Sequence, residues 1–97
     1  MISHSDFTKL DLCTGKIKSV EKIENTTKLY KILVDIKRPD PIQIISGLAE
    51  SYTIENLTGK NIVVLESQGM LLAAVDENKN ISLLVPDKEM PSGTKIY

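Results

Sequence analysis

A period of two is the strongest constraint on what this chain can fold into. Tyr30, Ile32, Val34 and Ile36 alternate with Lys31, Leu33 and Asp35, the pattern of a strand with one dry face and one wet face. Upstream, Leu10 and Leu12 lead into Gly15–Ile23, where the alternation slips between Ile17 and Val20. Gly15 and the slip together predict a bulged, strongly coiled strand. Glu24–Thr27 reads as a turn. Pro39-Asp40-Pro41 turns the chain into Ile42–Ile45, and Ser46-Gly47 ends that strand.

Glu50–Leu57 changes character, because Tyr52, Ile54 and Leu57 lack period two. Thr53 is a candidate N-cap and Gly59 a candidate C-terminal glycine, so a short helix is predicted here. Two apolar runs follow, Ile62–Leu65 and Met70–Val75, joined only by Glu66–Gly69. Asp76–Asn80 then turns into Ile81–Val85, and Pro86-Asp87 and Pro91–Gly93 punctuate the tail. The order is three strands, a short helix, two strands and a sixth short strand. That order predicts an all-β OB-fold: a five-stranded antiparallel Greek-key barrel with a short helix between strands 3 and 4 and a C-terminal extension. A short SH3-like barrel is the alternative. Closure would remove the exposed edges that an open sheet of this size presents.

Ninety-seven residues predict a single domain spanning 1–97. No apolar run approaches the roughly 18 residues of a membrane helix, so no membrane partner is expected. Residues 1–7 show no basic region followed by an apolar stretch, the mark of a secretory signal. Cys13 is the single cysteine. One thiol builds neither a disulfide framework nor a zinc site and suits a reducing cytoplasm. It reads as a small buried hydrophobe, since no histidine partner is in evidence. His4 reads as exposed and inert, and Asp76-Glu77 as a solvated turn. Met70 and Met90 are expected in core and tail packing, and Tyr30 and Tyr52 in packing rather than base stacking. There is no glycine-rich phosphate loop, zinc spacing or Ser/His/Asp set, so no catalytic residue, metal or cofactor is expected.

Net charge is −1, which by itself argues against a strongly basic nucleic-acid binder. The distribution is uneven. Residues 1–38 hold eight Lys/Arg against five Asp/Glu, and residues 39–97 hold four against eight. Lys16, Lys18, Lys22, Lys28, Lys31, Lys37 and Arg38 fall close together, and a one-sided basic face would suit a polyanion. Ordinary charge balance on a solvated strand face explains the same residues.

Several motifs in one order carry a family resemblance. Asp6-Phe7-x-Lys9-Leu10-Asp11-Leu12-x-x-Gly15-Lys16-Ile17 resembles the entry strand of the tRNA-binding domain appended to many methionyl-tRNA synthetases. Lys28–Ile32, Gln43–Ala49, Leu57-x-Gly59-Lys60 and Ser67–Ala74 are similar to that family as well. So are Leu83-Leu84-x-Pro86-Asp87 and Pro91-x-Gly93-x-Lys95-Ile96. The resemblance implies an OB-fold, a homodimer, and tRNA recognised by shape, which suits the exposed phosphates and 2′-hydroxyls of A-form RNA. Carried over residue by residue, it implies a phosphate contact for Lys28. It implies phosphate or ribose hydrogen bonds for Ser46 and Ser67, with Gln43 as a neighbouring polar position. Lys16 and Lys31 are weaker candidates. The plain alternatives are a solvated loop lysine for Lys28, turn or capping hydroxyls for Ser46 and Ser67, and solvated strand lysines for Lys16 and Lys31.

The departures matter as much. Cys13-Thr14 stands where the family commonly has Arg-Val, and Ile42 where it commonly has Arg. The family's most basic loop precedes the Ser-x-Gly-Met motif, whereas here Leu65 is followed at once by Glu66-Ser67. Each lost phosphate contact lowers the salt slope of binding by about one unit. The leading expectation is a cytoplasmic, homodimeric, non-catalytic tRNA-binding protein. It would be an auxiliary subunit of a methionyl-tRNA synthetase, or a free-standing relative, that raises local tRNA concentration by tethering. Dimer contacts would involve Leu84–Ile96. The alternative is a dimeric protein-interaction or chaperone-like OB module with weak or no tRNA binding. A small enzyme is a third reading, with no candidate reaction.

Overall fold

The computed structural model describes residues Met1–Tyr97. Its main sheet consists of β1 (Leu12–Lys22), β2 (Tyr30–Asp35), β3 (Ile42–Ser46), β4 (Asn61–Leu65) and β5 (Met70–Leu71). The spatial order is β3-β2-β1-β4-β5, and every neighbouring pair is antiparallel. Strand β1 is long enough to serve two partners. Its first half pairs with β4, from Leu12↔Leu65 to Lys16↔Asn61, and its second half with β2, from Lys16↔Asp35 to Lys22↔Tyr30. The register shifts between Ile17 and Ser19. The extra residue, Lys18, turns outward, so Ile17 and Val20 both face the core despite their odd spacing. This is the bulge that the slipped alternation predicts.

The sheet curls until β3 and β5 approach one another. No ladder joins them; a Cβ on Gly69 would lie 3.6 Å from the Gln43 carbonyl oxygen. The barrel therefore closes at a seam rather than through hydrogen bonds. Helix α2 (Ile54–Leu57) lies between β3 and β4, as the sequence predicts. The Thr53 hydroxyl accepts from Asn56 N at 3.1 Å, and Gly59 follows the helix at φ 85°. Gly59 N–H donates to Ile17 O at 2.9 Å and Ile17 N–H to Lys60 O at 3.0 Å, so the helix end is fastened to β1 beside the bulge. Leu57 is fully buried and plugs the barrel against Ile32, Val34, Ile62 and Val64, which are also fully buried. Each such side chain contributes about 1.5–3 kcal/mol of transfer free energy.

Two features depart from the sequence reading. Helix α1 (His4–Thr8) has no counterpart in the hydrophobic pattern of the sequence. Ser3 and Asp6 form a reciprocal capping box, yet the helix buries no residue completely, so it has no hydrophobic period to detect. The predicted strand Met70–Val75 is two strands. Leu71 pairs with Val64 in the barrel, while β6 (Ala73–Val75) pairs with β7 (Ile81–Leu83) in a separate two-stranded sheet. Leu72 is the crossing point: its N–H donates to Val63 O at 3.2 Å, and its carbonyl accepts from Leu84 N at 3.0 Å. With Leu71 facing inward, Met70 faces out and is about half exposed, so it is not a core residue.

The C-terminal tail returns to β1. Buried Thr14 donates its hydroxyl to Pro91 O at 2.7 Å and accepts from Thr94 N at 3.1 Å. Its backbone N–H donates to Thr94 O at 2.9 Å, and Gly93 N–H donates to its carbonyl at 2.7 Å. Gly93 has φ 82°, and a Cβ there would lie 2.5 Å from Ile36 O, so only glycine lets the tail pass this close.

Candidate nucleic-acid interface

Lys28 sits on the turn between β1 and β2. Thr26 closes that turn through its N–H and hydroxyl, both directed at Ile23 O, and Asn25 takes the left-handed conformation at φ 65°. The Lys28 carbonyl accepts from Ala49 N at 3.0 Å, which fixes the turn against the segment that leaves β3. The side chain is exposed and forms no ion pair. It borders an open cleft of about 690 Å³, shared with Gly47, Glu50, Ser51, Lys79 and Asn80.

Ser46 ends β3 opposite Tyr30 and lies on the same side of the strand as Ile42 and Ile44. It lines a smaller groove of about 110 Å³ at the β3–β5 seam, with Ile45, Gly69 and Met70. Gln43 is exposed on the opposite face of β3, with its carbonyl against Gly69. Ser67 is exposed on a 3-10 turn, Glu66–Gln68. The fold thus brings Gln43, Ser46 and the Ser67 turn to one seam. Gly47 follows Ser46 directly and lines the Lys28 cleft. Lys28 and Ser46 therefore line adjoining clefts, while Gln43 points from the opposite face of β3 and Ser67 lines neither cleft.

The other two are engaged elsewhere. Lys31 lies 3.9 Å from Glu21, its direct cross-strand partner. Lys16 lies 3.3 Å from Glu89. The clustered basic residues do not form one face. Lys28 lies just before Tyr30 at one end of β2, whereas Lys16 pairs with Asp35 and Lys37 and Arg38 follow the other end. Those ends are separated by roughly 16 Å at about 3.3 Å per residue. Proximity in sequence becomes separation in space because the chain runs the length of a strand between them. Arg38 is also paired, with Nη2 at 2.9 Å from Glu66 Oε1.

Nothing in the sequence marks Lys79. It sits on the β6–β7 turn, and only the packing of that hairpin beside the β1–β2 turn brings it to the Lys28 cleft. Cys13 is buried, and burial, then the nearby Glu66 carboxylate, pushes its thiol pKa up. A thiol held protonated in this way is a poor nucleophile. Tyr30 and Tyr52 pack: Tyr30 donates its hydroxyl to Tyr52 O at 2.9 Å, and Tyr52 accepts from Leu83 N at 3.0 Å.

Residues 12–95 match the family described as "Putative tRNA binding domain". The methionine–tRNA ligase of Methanosarcina mazei is 41% identical over 99% of this chain, which spans 15% of that protein. That alignment runs over 107 positions against 97 residues here, so the ligase carries at least ten residues without a counterpart in this chain. Among solved structures, a MetRS-related protein from Pyrococcus horikoshii is 30% identical with a TM-score of 0.84, covering 100% of this chain and 98% of that one. The chaperone CsaA from Bacillus anthracis is 27% identical with a TM-score of 0.83, covering 100% and 99%. The strand order, the helix between β3 and β4, and the match from β1 to the tail agree, and the chain belongs to the tRNA-binding domain family.

Proposed function

We propose that this chain binds tRNA without catalysing a reaction on it, as an auxiliary module of methionyl-tRNA synthetase or a free-standing relative in the cytoplasm. The family match across residues 12–95 carries the reading. The unpaired Lys28 and the adjoining groove that Ser46 lines support it. Hydroxyl, amide and ammonium donors fit ribose and phosphate better than base edges, which suits recognition of folded RNA by shape. Affinity is modest, because the turn between β4 and β5 supplies Glu66 where a basic loop would add phosphate contacts.

The protein works as a homodimer, with Val75, Leu84 and Val85 as the apolar contacts. All three are about half exposed, and they lie on or beside the β6–β7 sheet. A second copy would cover them and double the RNA contacts.

A tRNA gel shift at two salt concentrations is the direct test. Binding in the micromolar range that weakens steeply with salt, and weakens further in Lys28→Ala, is the expected result. No binding at low salt would remove the proposal. The chaperone-like alternative has its own support in the likeness to the CsaA chaperone and in the exposed Ile45 and Met70 at the seam. Suppression of a client's aggregation by a protein that fails to shift tRNA would favour it.

A further inference from the structure

Five clefts mark the surface, and their charges differ. One sets Lys22 against Glu50 and Glu55. A second sets Lys16 and Lys37 against Asp35 and Glu89, and a third sets Arg38 and Lys95 against Asp11 and Glu66. The seam groove holds no charged side chain. Only the cleft between the β1–β2 turn and the β6–β7 turn has a positive excess, with Lys28 and Lys79 opposed by Glu50 alone. It is also the most capacious, at about 690 Å³.

We propose that Lys28 and Lys79 form the two jaws of a cleft that grips the phosphodiester backbone of RNA. The inference rests on the tRNA-binding reading and adds to it a second wall, contributed by a part of the chain that lies outside the barrel. Neither lysine spends its charge within the molecule, since the ion pairs of the structure involve Lys16, Lys31 and Arg38. Both sit on hydrogen-bonded turns. Around Lys79, the Asp76 carboxylate accepts from Asn78 N, Asn80 N and Asn80 Nδ2 at 2.9, 2.9 and 3.0 Å. Lys79 N–H donates to Asp76 O at 3.0 Å. Lys79 itself has φ 67°, a left-handed conformation that asparagine or glycine takes more readily. The turn thus carries a lysine at a position where a conformationally better residue would remove the charge. Between the jaws the floor is open, with Ile81 as its one apolar side chain. Nothing lies within 4 Å of where a Cβ on Gly47 would sit, and Ser51 offers an exposed hydroxyl. A ribose-phosphate strand can approach the backbone there and meet an ammonium on either side.

The conformation at Lys79 makes the test clean. Lys79→Asn removes the charge while easing the backbone, so its melting temperature should equal or exceed that of the parent. Binding of unfractionated tRNA is then measured across a salt series for the parent, Lys28→Ala, Lys79→Asn, Lys79→Arg and, as a control for an exposed lysine outside the clefts, Lys88→Ala. The expected result is that Lys28→Ala and Lys79→Asn each lower the salt slope by about one unit, while Lys79→Arg and Lys88→Ala leave it unchanged. If Lys79→Asn behaves like Lys88→Ala while Lys28→Ala loses affinity, the two-jawed cleft is overturned and tRNA binding stands. If the parent itself fails to bind at low salt, the functional reading falls and the cleft with it.

Discussion

Arg38 Nη2 lies 2.9 Å from Glu66 Oε1 across the short turn that follows β4. The contact is Coulombic rather than a directed hydrogen bond at that oxygen; the hydrogen bond from Nη2 goes to Oε2 at 3.5 Å. The guanidinium also donates through Nη1 to Ile36 O at 3.2 Å. The carboxylate at this turn therefore occupies an arginine that could otherwise meet a phosphate. Replacing it should release that arginine. Glu66→Gln is expected to raise tRNA affinity and steepen the salt slope by up to about one unit. Stability should change by less than about 1 kcal/mol, because the pair is partly exposed and screened. An unchanged slope would show that Arg38 stays out of reach of the RNA.

Cys13 should be silent to thiol reagents in the native protein. Burial, and secondarily Glu66, raises its pKa above the ordinary 9.0, so the folded state favours the protonated thiol. A raised thiol pKa gives stability that is present below pH 9.0 and lost as pH rises beyond it, since the unfolded chain ionises first. Labelling with iodoacetamide at pH 8 is expected only after denaturant unfolds the barrel. Fast labelling of native protein would contradict a packed Cys13.

The tail clamp can be weakened at one atom. Thr14→Val keeps the shape but leaves Thr94 N without its hydroxyl partner, while Pro91 O keeps the Thr94 hydroxyl, at a cost of about 1–3 kcal/mol. Gly93→Ala should cost more than Thr14→Val, since it adds a clash with Ile36 O to an unfavourable φ. Urea unfolding of both variants checks the order.

Acid should loosen the β6–β7 turn before the barrel. Hydrogen bonds from the Asn80 side chain and backbone, and then from Asn78, lower the Asp76 pKa below its ordinary 3.8. A lowered carboxylate pKa contributes stability that is present above that value and lost as pH falls through the folded pKa. Protection of the Asn78 and Asn80 amides, measured against their intrinsic exchange rates, should therefore fall below about pH 3.8, and Asp76→Asn should remove the transition.

The barrel was legible in particular residues. Tyr30–Ile36 declared its buried face by alternation, the slip between Ile17 and Val20 declared the bulge, and Thr53 with Gly59 bracketed a helix of one turn. These signals are local, because period and capping depend on residues a few positions apart. Helix α1 escaped because it buries little, and the split at Leu72 escaped because an unbroken apolar run does not say which sheet each half joins.

The candidate interface divides along the same line. The sequence by itself determined the family, the identities of Lys28, Gln43, Ser46 and Ser67, and the shortness of the turn at Glu66. Tertiary structure decided which charges remain available. It paired Lys16 with Glu89, Lys31 with Glu21 and Arg38 with Glu66, and it carried Lys79 to the side of Lys28. The reason is physical: a charge is felt over a few ångströms of space, whatever its distance along the chain, and the sheet register and the path of the tail set those distances.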